Sequence, residues 1–469
     1  MSIGKNMKSI ERPNIIFIFA DQLRASSLGF MGEENVITPN FDKFAKENSY
    51  FKTSVSMFPV CTPYRGSLIT GRSATSLGLV LNDIPLSTSE ISIAHVCKDN
   101  GYETAYIGKW HLNGADRKSW IPPGKERFGF DYWAAANFDH NYDNSLYFEQ
   151  DSDKVKKWEG YDAESQTNKA IEYLKNRDKT KPVCLFLSWG PPHHPYRTVA
   201  KKYLDMYDPE KIKARPNCPD LPREDIHGYY AQTTFLDELF GEFMKAIEEM
   251  GIKDNTIIAF SSDHGDMMGS HGVYKKQWPW DECIKIPFML SYPKVIKPGT
   301  VFNFPINVID VMPTLLGLAD IKSPDSVEGV DLSPYIKGTN EKAPKSVYFM
   351  NPCSFEIGDP RGFDQFPTFK GKQMQFRGVR TDRYTYVRTI EGPWLLYDND
   401  TDPYQHNNLI NKEDMKEIQA ELESELLGHM KKLNDDIHPN EYYYKKYNLN
   451  IDRRGKVAGI IENPYNRLG

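Results

Sequence analysis

The feature that most constrains this chain is a short run with no polar residue, Ile15-Ile16-Phe17-Ile18-Phe19-Ala20, closed by Asp21. A strand exposed on one face alternates polar and apolar residues, whereas an unbroken apolar run of this length suits a strand covered on both faces of a parallel sheet. Parallel strands need crossovers, and the sequence supplies them in order. Thr38-Pro39 opens a helix as a cap followed by proline in the first turn, with Phe41, Phe44 and Ala45 on one face. A helix over 91–99 stops at Gly101 and precedes a strand over 103–107 that ends at Gly108-Lys109. A helix over 163–175 precedes a strand over 183–187. Another over 229–250 precedes a strand over 256–260, which runs into Ser261-Ser262-Asp263-His264. This order predicts an α/β fold with a large, doubly wound, mostly parallel sheet flanked by helices. Asp21, Lys109 and Asp263 fall just past strand ends, where open α/β sheets place their ligands, so one shared site is expected there.

With 469 residues the chain exceeds what one core usually holds, and two domains are expected, 1–344 and 345–469. Beyond 345 the pattern shifts to short strands over 347–350, 378–381, 384–388 and 394–397, followed by a charged amphipathic helix over 412–434. This predicts a smaller domain with a short antiparallel sheet and a helix. The stretch 115–160 is rich in Trp, Tyr, Phe and Asn without a clear period, and is expected to be an ordered insertion or loop near the site.

An apolar fraction of 39% and a charged fraction of 26% describe a globular protein with a large core and exclude wholesale disorder. No stretch reaches the roughly 18 apolar residues of a membrane-spanning helix. The polar, basic start, 1–12, lacks the apolar segment of a signal peptide. A cytoplasmic protein is therefore expected, or a periplasmic or secreted one if the N-terminus was trimmed. Net charge is −6 with scattered basic residues, which argues against nucleic acid as a partner. The six cysteines (61, 97, 184, 218, 283, 353) show no CxxC and no paired spacing, which argues against a disulfide framework or a zinc cluster.

Three groups of residues carry chemistry. The first is Cys61-Thr62-Pro63-Tyr64-Arg65-Gly66-Ser67-Leu68-Ile69-Thr70-Gly71-Arg72. Proline two residues after the cysteine suits the first turn of a helix, which leaves Cys61 near an anion-favouring N-terminus with Arg65 one turn further on the same side. The second is Asp21 with Asp263-His264-Gly265-Asp266, a set able to hold a hard divalent cation. The third comprises Gly108-Lys109-Trp110-His111, Pro192-His193-His194-Pro195 and His271-Gly272-Val273-Tyr274-Lys275-Lys276. Taken singly, Cys61 reads as a buried cysteine, Asp263 as a helix cap, His264 as a turn residue, and the two lysines as solvated. Their joint occurrence near predicted strand ends outweighs those readings.

Together these segments resemble the sulfatase family, the formylglycine-dependent type I sulfatases of the alkaline phosphatase superfamily. The match rests on cysteine-x-proline-x-arginine followed by glycine-arginine, with Tyr64 where serine is most frequent. It extends over roughly 13–434, through Asp310, Pro313 and Thr314 and through Tyr397-Asp398-Asn399-Asp400-Thr401-Asp402-Pro403 to Asn408-Leu409. The resemblance implies an alkaline-phosphatase-like fold and hydrolysis of an organic sulfate ester. It implies that a formylglycine-generating maturation enzyme oxidises Cys61 to an aldehyde whose hydrate is the nucleophile. It implies Ca²⁺, with Mg²⁺ or Mn²⁺ open, held by Asp21, Gln22, Asp263, His264 and the modified Cys61. Gln22 replaces the usual second aspartate, and either ligates through its amide oxygen or stands behind the ligands. By the same resemblance Arg65 holds the hydrate and Lys109 and Lys276 grip sulfate. His193 is the general acid, with His194 a bystander, and His111 is the base that expels sulfate. His271, Asp266 and Lys275 are expected to be structural or peripheral.

Trp120, Trp133, His140 and Tyr147 are expected to line the pocket mouth and stack on a sugar, which makes a sulfated carbohydrate the expected substrate. Two alternatives stand beside this reading. One is a phosphonate monoester or phosphodiester hydrolase of the same superfamily, with which Gln22 and His264 are compatible. The other is a non-catalytic binder of sulfated glycans in which Cys61 is never converted.

Overall fold

The computed structural model describes residues 12–32, 35–339, 342–354, 374–452 and 457–460. The opening apolar run forms strand Asn14–Asp21, buried along its whole length, inside a ten-stranded sheet. The strands follow the order Thr300–Phe302, Ser49–Phe51, Phe288–Ser291, Thr256–Ser262, Asn14–Asp21, Val183–Pro192, Glu103–Lys109, Tyr132–Ala136, Leu146–Glu149 and Lys156–Lys157. From Thr256–Ser262 to Tyr132–Ala136 all neighbours are parallel. Phe288–Ser291 and Leu146–Glu149 join that block antiparallel, so the sheet is mixed towards its edges.

The alternation of side chains along Asn14–Asp21 divides the interior in two. Ile15, Phe17 and Phe19 point into one hydrophobic cluster with helices Cys61–Thr70, Ile93–Asp99 and Val308–Leu318. Ile16, Ile18 and Ala20 point into the other with helices Pro39–Glu47, Asp162–Asn176 and Arg223–Glu249. Both faces of the strand are covered, which is why residues 15–20 carry no polar side chain.

Three local expectations change. Thr38 does not cap its helix through its side chain; its hydroxyl accepts from the Gly29 N–H and donates to Asp42. The long helix begins at Arg223 rather than at 229, behind Pro222, with Glu224 and Asp225 in a first turn where acidic side chains favour the helix dipole. The stretch 115–160 is not a loop insertion throughout, since Tyr132–Ala136 and Leu146–Glu149 extend the central sheet.

The smaller sheet runs Ser346–Asn351, Phe376–Thr381, Tyr384–Thr389 and Gly392–Asp398, each strand antiparallel to the next. Helix Lys416–Lys432 buries Leu422, Leu426 and Met430 in the cluster that also holds Tyr348 and Met350. That cluster is continuous with the one beneath the large sheet, and the Met350 N–H donates to the Met57 carbonyl at 2.6 Å. The three tyrosines at 442–444 lie in helix Asn440–Lys446. Among the described residues no helix is long and apolar enough to cross a membrane. All six cysteines are buried and unpaired.

Arg377 ties the small sheet to the segment after helix Lys416–Lys432. Its side chain is fully buried; its Nε and one terminal nitrogen donate to Asp435 at 2.7 and 3.1 Å, and further bonds reach Asp436 O and Tyr443 OH, both at 2.7 Å. Removing one partner of such a pair leaves an uncompensated buried charge. Arg377→Ala is therefore expected to cost about 3–5 kcal/mol in denaturant unfolding, and Lys98→Ala, on an exposed pair with Asp131, to cost far less.

Candidate active site

The parallel register sets Ala20 beside Ser262, Asp21 beside Pro192, and Gly108 beside Ser188. The residues at and just past these strand ends, Asp21, Lys109, His193, Asp263 and His264, therefore converge at one edge of the sheet. Facing them is the start of helix Cys61–Thr70, with Cys61 as its first residue.

Cys61 Sγ lies 3.7 Å from Asp21 Oδ1, 3.3 Å from His264 Nε2 and 2.9 Å from Lys276 Nζ. His264 Nδ1 sits 2.9 Å from the Gly265 carbonyl, which orients the ring so that Nε2 faces the sulfur. One ligand atom from each of Asp21, Cys61, Asp263 and His264 lies within 4.8 Å of all the others. Two carboxylates with an oriented imidazole form a donor set that fits a divalent cation.

Charge balance in this buried cluster is supplied by three cations. Arg65 reaches Asp21 Oδ2 at 3.1 Å and Asp263 Oδ2 at 3.3 Å through one nitrogen. Its other terminal nitrogen donates to Lys109 O and Ser188 Oγ, each at 2.8 Å. Lys109 Nζ pairs with Asp21 Oδ2, and Lys276 Nζ lies 3.0 Å from His264 Nε2. Burial pushes the Asp21 carboxyl up, but Lys109, His193, Arg65 and Lys276 outweigh it and hold the group well below the usual range. Burial and the neighbouring Asp21 charge instead push Asp263 up to about 6. At Cys61, burial and Asp21 oppose ionisation, while Lys109, Lys276 and His264 prevail and favour the thiolate.

Other sequence-predicted residues take more specific places. The Gln22 N–H donates to Asp263 Oδ1 at 2.9 Å, and its side-chain nitrogen donates to Asp266 Oδ2 at 2.5 Å and Tyr196 OH at 3.1 Å. Its Oε1 is buried without a hydrogen-bond partner. Asp266, expected to be structural or peripheral, is buried and accepts from Tyr196 OH and from the N–H groups of Met268 and Lys275. It thereby pins the loop that carries Lys276. His111 sets its ring on Phe138 at 4.0 Å and its Nε2 2.9 Å from Asp83 Oδ1, with Nδ1 buried and unpartnered. His193 places Nδ1 2.9 Å from the His194 carbonyl and its ring 4.2 Å from that of His140. Burial, then His140, push the His193 ring well below the usual histidine range. His271 stacks on Trp280 at 4.5 Å, apart from the cluster.

Two of the four aromatic residues assigned to the pocket mouth are elsewhere. Trp133 is fully buried, packed against Tyr106 and Trp110, because its strand is covered on both faces. Tyr147 is buried in a stack with Trp158 at 3.7 Å. His140 does reach the site, and Trp120 is exposed. Sequence reasoning missed Asp83, Phe138 and Ser188, which touch the predicted residues from distant points of the chain and carry no local signature.

Residues 13–321 match the sulfatase family model, and residues 269–432 match the model described as N-sulphoglucosamine sulphohydrolase, C-terminal. The chain belongs to the sulfatase family. This sulfatase is 41% identical to an ulvan-active sulfatase of Formosa agariphila over 96% of this chain and 88% of that protein. A Bacteroides thetaiotaomicron structure, titled for the metabolism of multiple glycosaminoglycans, superposes with a TM-score of 0.81 at 28% identity, covering 93% of this chain and 98% of that one. A phosphonate monoester hydrolase of Agrobacterium radiobacter shares the fold at a TM-score of 0.71 and 19% identity, covering 96% of this chain and 100% of that one. The fold is thus the alkaline-phosphatase-like one.

The sulfatase site depends on a close backbone approach at Gly108. Its φ is +104°, and a Cβ there would stand 2.0 Å from Ser188 O. The residue precedes Lys109 and lies beside the serine that holds Arg65. Gly108→Ala is expected to destabilise the protein by more than about 1 kcal/mol in chemical denaturation and to reduce turnover of an aryl sulfate under conditions where the protein remains folded.

Proposed function

We propose that this sulfatase removes sulfate from a sulfated carbohydrate, with Cys61 converted to formylglycine by a maturation enzyme and a divalent cation, Ca²⁺ first among the candidates, held by Asp21, Asp263 and His264. The observation that carries this reading is the position of Cys61, at a helix start within reach of two carboxylates, an oriented imidazole and Lys276. The carbohydrate class is supported by the ulvan-active relative and by the neighbour from glycosaminoglycan metabolism.

The overall reaction consumes one water and yields an alcohol, sulfate and a proton. Formylglycine supplies, as its hydrate, the hydroxyl that attacks sulfur, and the cation supplies Lewis acidity towards the sulfuryl oxygens. Lys109 and Lys276 bind those oxygens from the side chains already aimed at the centre, and this fixed charge is the main electrostatic contribution of the chain itself. Arg65 keeps Asp21 and Asp263 in place through its forked contacts. His193, with Nδ1 donating to the His194 carbonyl, presents Nε2 towards the departing sugar oxygen; once an anionic ester is bound beside it, the ring takes up the proton that Nε2 then delivers. His111, oriented through Nε2 by Asp83, offers the unpartnered Nδ1 as a proton acceptor, the role that regenerates the resting site. Gln22 acts through its backbone on Asp263, and its side chain is tied to Asp266 and Tyr196.

Three measurements test the proposal. Intact-mass analysis of the peptide spanning Cys61 is expected to show aldehyde in active preparations. A preparation that desulfates with position 61 wholly as thiol, or converted protein that turns over a small alkyl sulfate but no sulfated saccharide in a defined panel, overturns it. His193→Ala is expected to lower kcat on a sulfated saccharide by about 10²–10⁴, and by far less on 4-nitrophenyl sulfate, whose leaving group needs no proton. Equal losses on both substrates would remove His193 from the role of acid.

A further inference from the structure

A second cluster of metal-ligating side chains lies beside the carboxylate site and has a different donor character. His140, His193 and His194 each bring a ring nitrogen within 4.8 Å of the other two. The rings are close-packed, at 4.2 Å between His140 and His193, 4.4 Å between His193 and His194, and 5.5 Å between His140 and His194. His140 Nε2 and His194 Nδ1 are both buried without a hydrogen-bond partner, an arrangement that costs free energy unless something occupies those lone pairs.

We propose that these three histidines form a separate site for a borderline transition-metal cation such as Zn²⁺, and that filling it inhibits the sulfatase. Three imidazoles with no carboxylate among them discriminate against Ca²⁺ and Mg²⁺, which require oxygen ligands, and favour zinc, copper or nickel. Tetrahedral zinc with Zn–N bonds of about 2.0–2.1 Å needs nitrogens about 3.3 Å apart. The rings must therefore draw together by about an ångström or somewhat more. His140 and His194 are only partly buried, whereas His193 is buried with its Nδ1 engaged by the His194 carbonyl. Behind it, Tyr142 OH donates to the His193 carbonyl at 2.7 Å and to the Gly190 carbonyl at 3.2 Å, bracing the loop as outer groups brace metal ligands elsewhere. Burial holds all three rings below the usual histidine range, His140 at about 2 and His194 at about 4, so they present the neutral form that binds metal. Three protein ligands leave a fourth position open to water or to a substrate oxygen.

Inhibition follows from the dual use of His193: a ring nitrogen bound to zinc cannot deliver a proton to the leaving group. That consequence rests on the function proposed above, whereas metal binding does not. The test uses the full chain saturated with Ca²⁺. Equilibrium dialysis against Zn²⁺ is expected to show one more bound equivalent in the wild type than in His194→Ala or His140→Ala, with Ca²⁺ binding alike in all three. In parallel, the zinc concentration that halves saccharide desulfation is expected to rise at least about tenfold in either variant, since losing one of three ligands removes a large share of the affinity. Two variants at partly exposed positions, each checked by circular dichroism, guard against misfolding. Equal zinc stoichiometry in wild type and variants overturns the site, and unchanged zinc inhibition in the variants assigns inhibition to the carboxylate centre instead. A protein that binds the extra zinc but hydrolyses no sulfate ester would retain the site and refute the proposed function.

Discussion

The site depends on one buried electrostatic arrangement, Arg65 held between Asp21 and Asp263 where the parallel strands end. Two carboxylates this deeply buried would each resist ionisation, and each other's charge would raise the cost. Arg65 meets both, and the Lys109 carbonyl and Ser188 hydroxyl fix its other terminal nitrogen. The guanidinium also lies over the Phe19 ring at 4.9 Å, so the strand that contributes Asp21 supports the cation that neutralises it. Asp21 is still left with the larger share of negative charge and Asp263 with the smaller. The imbalance has a geometric cause, because Lys109 pairs with Asp21 alone.

That arrangement is affordable because the sheet beneath it is rigid. Each of residues 15–20 is committed to one of two hydrophobic clusters, and the neighbouring parallel strands fix the register on both sides. The small sheet adds to the same support instead of standing apart, since Tyr348 and Met350 belong to the cluster that holds the back of helix Cys61–Thr70. Cys61 is thereby positioned by packing that reaches into the C-terminal part of the chain.

What was legible in the sequence was what local pattern determines. The apolar run at 15–20 carried its own burial, and the order of helices and strands carried the winding of the sheet. The antiparallel strands after 345 were readable from turns and short apolar segments. Tyr132–Ala136 was hidden because its two-sided burial is achieved with Trp, Tyr and alanine rather than with a β-branched run. The same residues misled the placement of Trp133 and Tyr147, since aromatic content alone does not distinguish a sugar platform from a core stack. The polar residues of the site could be named from their motifs, but their supports could not. Asp83 under His111, Asp266 under Gln22 and Ser188 under Arg65 are contacts between chain segments with no common local signature. The lysine contacts on Asp21 and Cys61 likewise exist only after folding.

The chemistry of residue 61 connects these supports to turnover. In the unconverted chain the cations serve the protein's own sulfur, with Lys276 2.9 Å from Sγ and the thiol pulled towards its anion. A thiolate in that position satisfies the positive charge that a sulfuryl group would otherwise meet. On the proposed reading, oxidation to formylglycine replaces this anion with a neutral group and so changes more than the nucleophile. Lys276 and Lys109 retain their positions, fixed by the loop pinned at Asp266 and by the strand end after Gly108, but Lys276 is no longer neutralised by residue 61. The same modification thus supplies a group able to release sulfate and opens the electrostatic space in which an anionic ester can bind. An uncharged replacement at 61, such as serine, would reproduce the second effect without the first, leaving a site that binds a sulfate ester but cannot regenerate after transfer.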